Sequence, residues 1–411
     1  MMQRDELPSL LLLPFPPDPS DRSLLNAAYR PSITAALSKL KRPNGAAQLI
    51  VGVACPLLHG QFVRSKTLSW RDAQALVAGL YGIISVVCAQ LSIGTEMDGG
   101  PGSVDTTVVL IDHSRSKRFT EDFRPAIETN NTVVVDLATF ASAYHPWNYI
   151  FHVRNELGLQ LYQTYLKLAE GKQTIMQEQL IPVEGGLTMN AAHKAGSAPT
   201  SHVQTSTYPV VCLGGTFDYL HPGHKLLLTA AALLLEVPRK DAGGSPSTYI
   251  IGITGDELLK NKKYAEYVQS WEARARNVIV FLSRLLHLSN SGWKKGTQPE
   301  IDEKDGDFKA FFRDGTILVH CVRIQDAFGP TITVQRVDAL VVSGETRSGG
   351  KAVNDKRAEQ GWKTLEVFEV DVLDADEVSE EPTKTTENFA SKISSSVIRQ
   401  QRAMAKPGTK I

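Results

Sequence analysis

One stretch of this 411-residue chain limits its fold more than any other: Gly214-Gly215-Thr216-Phe217-Asp218-Tyr219-Leu220-His221-Pro222-Gly223-His224-Lys225. The run before it, residues 208–213 (YPVVCL), reads as a buried strand, and the run after it, residues 226–235 (LLLTAAALLL), reads as an apolar helix with Pro238 beyond its end. Strand, glycine turn and helix in succession are the repeating unit of a parallel α/β sheet. Pro222 suits the first helical turn, where its missing N–H costs nothing. Both histidines therefore sit where a helix begins, and that end presents unpaired N–H groups and a positive partial charge to an anion.

The chemistry such a turn suits is phosphoryl or nucleotidyl transfer. Attack at a phosphorus gathers negative charge on its equatorial oxygens, and donors fixed around it lower the barrier without a covalent nucleophile. Gly214 and Gly215 let backbone approach a phosphate, and Thr216 offers a hydroxyl to orient one. Two plainer readings compete. The histidines could be structural residues at a helix start, or a zinc pair, although no third and fourth ligand follow at a familiar spacing.

Three further stretches fit a phosphate site. Near the end of the chain, Ser394-Ser395-Ser396 precedes Arg399. Serine is a favoured helix N-cap, and an arginine three residues on lies one turn along the same face. An ordinary capped helix has the same pattern. Residues 338–342 read as a strand that leads into Ser343-Gly344-Glu345-Thr346-Arg347, then Gly349-Gly350, Asn354 and Arg357. The loop after a parallel strand is where ligands bind in an open α/β sheet. Finally, Lys260, Lys262 and Lys263 precede Arg274 on an amphipathic helical pattern. A lysine run is as often a solvated surface.

The block GGTFDYLHPGHK resembles the signature of the HxGH nucleotidyltransferase superfamily, and SSSVIR at 394–399 resembles its ISSTxxR element, with Ser396 in place of threonine. The stretches VVSGETRSGGKAVNDKR (341–357) and GDELLKNKKYAEYVQSWEARARNVIVFL (255–282) are similar to eukaryotic phosphopantetheine adenylyltransferases, and the resemblance covers about half the chain. It implies a Rossmann-like α/β fold with a parallel sheet for residues 208–411. It also implies adenylyl transfer from ATP to 4′-phosphopantetheine, giving dephospho-CoA and pyrophosphate, with Mg²⁺ arriving on the ATP. His224 would stabilise the transition state at the α-phosphate with His221 assisting, and Lys260 and Lys262 would face phosphate. Gly214, Gly215, Thr216, Phe217, Arg274, Ser343, Glu345, Thr346 and Arg357 would line the nucleotide site, and Ser394, Ser395, Ser396 and Arg399 would hold the β- and γ-phosphates. No GxxxxGK[ST] occurs, so the dephospho-CoA kinase domain fused to some animal enzymes is not expected. A cytidylyltransferase and a nicotinamide mononucleotide adenylyltransferase are alternatives within the same chemistry. A non-catalytic nucleotide-binding scaffold of the CoA pathway is the alternative outside it.

The first half of the chain has a different character. Residues 9–14, 48–54, 107–112 and 132–137 read as strands, and residues 23–41, 69–82 and 153–171 as helices. Ser23 would cap the first helix and Pro31 would split or kink it. The alternation predicts an N-terminal α/β domain, residues 1–184, joined to residues 208–411 by a small polar linker, 185–207. Residues 239–248 and 289–309 read as surface insertions, and residues 371–387 as an acidic solvated loop. His59, His113, His145 and His152 are scattered and define no site. The domain's size and lack of motif leave it as the place for other CoA-pathway enzymes to bind.

Residues 73–95 carry no charge over about the length of a membrane span, but Gly79, Gly82, Ser85, Gln90 and Ser92 dilute them. They read as a buried helix, a turn and a strand at 83–87. Lys+Arg and Asp+Glu both total 44, which argues against a surface built to coat nucleic acid or anionic membrane. The first residues lack a basic stretch, so no signal peptide is expected. Cys55, Cys88, Cys212 and Cys321 are widely spaced in apolar runs and form no CxxC pair. They read as buried reduced thiols of a protein in the cytoplasm or nucleus.

Overall fold

A computed structural model describes residues 7–56, 58–59, 67–97, 99–114, 132–143, 146–187, 205–236, 245–287, 299–304, 306–371, 373 and 394–405. The chain forms two compact units, one covering residues up to Ser206 and the other most of the remainder. Residues 188–204 of the expected linker lie outside the described residues. So do most of the expected insertions at 239–248 and 289–309, and most of the acidic stretch.

The first unit is built on β1 (Ser9–Leu13), α1 (Arg22–Leu40), β2 (Ala47–Cys55), the short strands β3 (Leu58–His59) and β4 (Thr67–Leu68), α2 (Trp70–Gln90), β5 (Val104–Asp112), β6 (Val134–Asp136), α3 (Leu137–Ala143), β7 (Ile150–Val153), α4 (Glu156–Ala169) and β8 (Leu180–Val183). Six strands form a parallel sheet in the order β6-β5-β2-β1-β7-β8. Its middle strand β1 is SLLLL, buried throughout, as expected of a strand covered on both faces. Asn155 caps α4 by accepting from the Gly158 N–H at 2.8 Å. A Cβ on Gly158 would lie 2.3 Å from the Val153 carbonyl, so α4 approaches β7 this closely only with glycine there.

Several local expectations change. Asp21, not Ser23, caps α1, accepting from Leu24 N–H at 2.8 Å, and α1 runs unbroken through Pro31. Residues 83–87 are not a strand: they continue α2, which is 78% buried over its most apolar window and packs on α1 and β5. By length and composition α2 could also cross a membrane. The β-branched run there satisfies its backbone within the helix and buries its side chains, so packing outweighs local strand propensity. Strands β7 and β8 escape the sequence pattern because each is only four residues long.

His152 of β7 stacks on Tyr162 with centroids 3.9 Å apart, and burial followed by the Arg154 charge lowers its pKa. His113 stacks with Phe15. The His59 side chain and His145 lie outside the described residues.

The second unit contains β9 (Val210–Gly215), α5 (Pro222–Ala232), β10 (Ser247–Thr254), α6 (Trp271–Leu286), β11 (Asp302–Lys304), β12 (Asp307–Phe312), β13 (Ile317–Ile324), β14 (Ala339–Ser343), α7 (Arg347–Glu359), β15 (Glu366–Val370) and α8 (Ser395–Ala405). The sheet order is β11-β12-β13-β10-β9-β14-β15. The five strands β13, β10, β9, β14 and β15 are parallel, whereas β11 and β12 add an antiparallel edge. The parallel core is the expected Rossmann-like sheet, and the added edge turns part of the presumed insertion into sheet. On β12 alternate residues Phe308, Ala310 and Phe312 are buried while Phe311 is exposed, a period-2 signal masked by the polar residues before it. One core cluster joins Val210, Cys212, Ile250, Leu340 and Val342 of the sheet with Val353 of α7. All four cysteines are buried, and none forms a disulfide. From β9 the chain passes to β10 and β13 on one side, then crosses back to β14 on the other side of β9, so the strand order reverses at the carboxyl end of β9, where open α/β sheets bind ligands.

Candidate active site

The turn after β9 lies at that reversal point. His221 is the N-cap of α5 with extended backbone, Pro222 occupies its first turn, and the Lys225 N–H donates to the His221 carbonyl at 3.1 Å. The imidazoles of His221 and His224 stack with centroids 3.9 Å apart, and Phe217 leans on His224 at 5.3 Å. A Cβ on Gly215 would fall 2.9 Å from the Phe217 ring, so that glycine makes room for the ring that backs the histidines. Gly214 is exposed, and the Thr254 hydroxyl donates to the Gly215 carbonyl at 3.2 Å.

Burial, and then the Lys225 ammonium, push the His221 pKa down to about 4; burial and His221 hold His224 well below its ordinary value. Both rings are therefore neutral at physiological pH and serve as hydrogen-bond donors or acceptors. Each Nδ1 is buried with no hydrogen-bond partner among the described residues. Lys225, the last residue of the motif, is fully buried and is an addition to the expected site residues.

The low His221 value has a measurable consequence. The unfolded chain takes up this proton near the ordinary value of 6.5, the folded chain only near 4. The unfolded state thus binds more protons between those values, so stability is fully present above about pH 6.5 and falls as the pH drops toward about 4. Urea midpoints measured at intervals from pH 7 to pH 4 are expected to fall, and part of the fall to vanish in His221→Asn. An equal fall in that variant would contradict the burial of a neutral His221.

The remaining expected residues divide into three groups. Around the turn, Ser394 caps α8 by accepting from Val397 N–H at 3.4 Å, the Ser395 hydroxyl donates to the Asp218 carbonyl at 2.9 Å, and Ser396 accepts from Arg399 Nη2 at 3.0 Å. Arg399 is buried and pairs with Asp218 at 2.6 Å. Lys260, Lys262 and Lys263 are exposed, and Lys260 pairs with Glu257. Lys260 also borders a cavity of about 430 Å³, which Asp256, Leu259, Val268, Gln269 and Ser270 help to line. On β14, whose carboxyl end lies beside that of β9, Ser343 and Thr346 bond to each other in a capping box. The Glu345 side chain lies outside the described residues.

Arg274 and Arg357 depart from their expected roles. Arg274 is fully buried, donating from Nε to Gln269 O and from Nη1 to Thr216 O and Thr254 O, with Nη2 on Asp256 at 2.5 Å. Its guanidinium ties together the ends of β9 and β10. Arg357 stands elsewhere. It donates to the carbonyls of Thr331, Val334, Gln335 and Lys363, which precede β14 and β15 and so lie at the amino-terminal end of the strands, opposite the histidine turn. Nearby Asn354 is also structural, bonding the Leu365 backbone through both amide atoms.

A mostly parallel α/β sheet with paired neutral histidines at a helix start, at the strand-order reversal, suits a nucleotidyltransferase. Comparison with known proteins agrees. Residues 1–189 match a family described as Domain of unknown function (DUF8446). The phosphopantetheine adenylyltransferase of Saccharomyces cerevisiae is 33% identical over 193 residues, 47% of this chain and 48% of the yeast protein. That of Pyrococcus horikoshii is 32% identical over 189 residues, 46% of this chain and 87% of the archaeal protein; that of Pyrococcus furiosus is 30% identical and 88% covered. The chain belongs to the phosphopantetheine adenylyltransferase family, whose members are nucleotidyltransferase enzymes. The match spans about half the length of the yeast relative. A solved structure of a protein of unknown function from Archaeoglobus fulgidus is 29% identical and 98% covered, with a TM-score of 0.26, too low to bear on the fold.

Proposed function

We propose that this chain transfers the adenylyl group of ATP to 4′-phosphopantetheine, forming dephospho-CoA and pyrophosphate, in the cytoplasm as a step of coenzyme A biosynthesis. The observation that carries this reading is the stacked His221–His224 pair at the start of α5, beside the reversal of strand order.

A phosphate oxygen of the acceptor attacks the α-phosphorus, and the bond to the pyrophosphate oxygen breaks. The acceptor is already an anion, so no general base is required. Charge that grows on the α-phosphate is met by the free N–H groups of the first turn of α5 and by the two imidazoles as neutral donors. Lys225 adds a buried positive charge behind them. The exposed lysines 260, 262 and 263 steer the polyanionic substrates toward the turn. Mg²⁺ carried by the triphosphate supplies charge neutralisation for the leaving pyrophosphate. Among the described residues no group of three His, Cys, Asp or Glu side chains could hold a metal.

The test is pyrophosphate release by the full chain with Mg²⁺, crossing ATP and CTP with phosphopantetheine, nicotinamide mononucleotide and phosphocholine. Release with ATP and phosphopantetheine alone is the expected result. Release with CTP, or with either other acceptor, reassigns the substrate; silence with every pair turns the site into a nucleotide-binding one.

A further inference from the structure

The turn that carries the histidines is held from outside. Phe217 and Tyr219 both lie in the left-handed region, with φ of 53° and 48°, which side chains other than glycine rarely adopt unless their surroundings impose it. Between them Asp218 is completely buried. Its Oδ1 accepts from Gln269 N–H at 3.0 Å, its Oδ2 from Arg399 Nη1 at 2.6 Å, and its carbonyl from the Ser395 hydroxyl at 2.9 Å. Arg399 uses the rest of its fork on Lys263 O and Ser396 Oγ, both at 3.0 Å. Tyr219 reinforces the junction: its N–H donates to Gln269 Oε1 at 2.7 Å, its hydroxyl to Tyr267 O, and Arg402 lies 4.5 Å over its ring. One ion pair, with side chains 3% and 0% exposed, thus joins the histidine turn, the lysine loop and α8.

We infer that Asp218 and Arg399 form a positioning pair that makes the docking of α8 and the shape of the histidine turn a single equilibrium. Neither side chain needs to touch substrate. A buried charge that loses its partner cannot stay where it is, so loosening α8 releases Asp218 and relaxes the φ values on either side of it. Three binding elements, far apart in sequence, are aligned by this contact.

The kinetic arm of the test rests on the adenylyl-transfer reading; the exchange arm does not. The full chain is compared with Asp218→Asn, which keeps the shape and the acceptor for Gln269 but removes the charge, with Arg399→Lys, which keeps the charge but removes the fork, and with the double variant. Each single change is expected to lower kcat roughly 10- to 100-fold, the cost of a misplaced catalytic group, with the acceptor KM within about threefold. The double variant is expected to be no worse than the poorer single one by more than about threefold, as for residues acting as one unit. Amide exchange should quicken together in 217–225 and 395–405. If a buried change unfolds the whole unit, Ser395→Ala, which removes one hydroxyl, should quicken the same two segments. Unchanged kcat in active protein, or faster exchange in α8 with an unaltered turn, overturns the coupling. A wild-type chain inactive with ATP and phosphopantetheine overturns the adenylyl-transfer reading, and exchange then still decides the pair.

Discussion

Replacing His224 by alanine is expected to leave the second unit folded and to lower kcat by roughly 10²–10³-fold, the usual cost of removing one preorganised donor from a developing oxyanion. The fold survives because the ring packs on Phe217 and His221 at the start of a helix, while the apolar stripe of α5, including Leu226, Leu228 and the alanines 230 to 232, is untouched. The KM for ATP should change little, since a donor that acts on charge appearing in the transition state contributes little to ground-state binding. Steady-state pyrophosphate release and thermal unfolding, measured on the same preparation, check both halves of the statement. Turnover near wild type would remove His224 from the chemistry and with it the assignment of the site.

Arg357→Ala should do the reverse. The side chain is 0% exposed and satisfies four carbonyls, of Thr331, Val334, Gln335 and Lys363. Its guanidinium also lies 5.2 Å over the Trp362 ring. Buried acceptors left without donors cost about 1–3 kcal/mol apiece, and relaxation toward water recovers some of this, so a loss on the order of 3 kcal/mol or more is expected. Molecules that remain folded should keep the wild-type KM for ATP, because the residue bonds backbone at the amino-terminal ends of the strands, whereas His221 follows the carboxyl end of β9. Urea unfolding with kinetics at low denaturant separates the two effects. A raised KM with unchanged stability would restore Arg357 to the nucleotide site.

The contrast between these residues shows how far the linear chain informs its own reading. The histidine turn was legible because all its parts are contiguous: an apolar strand, two glycines, a proline suited to a first helical turn and an apolar helix occupy residues 208–235. Local sterics and hydrogen bonding determine such a unit. Strands of the first sheet were legible for a related reason, since SLLLL and its neighbours are buried on both faces and read as continuous apolar runs. The run at 83–87 has the composition of a strand yet is helical, because burial inside α2 accepts β-branched residues in helical form.

Arginine roles were beyond that reach. Arg274, Arg357 and Arg399 all sit in motifs that suggest phosphate, yet each guanidinium is buried and occupied by backbone carbonyls or by a carboxylate. A long flexible side chain can reach partners well removed from its own backbone, so the atoms it meets depend on how distant segments come together. Asp218 is the clearest case. Its partner Arg399 is 181 positions away, and no local pattern couples them. The order of residues along the chain specified the turn, its histidines and the helix behind them. Folding specified which charges face the site and which are spent holding it in shape, because a buried charge is stable only where the assembled chain supplies its partner.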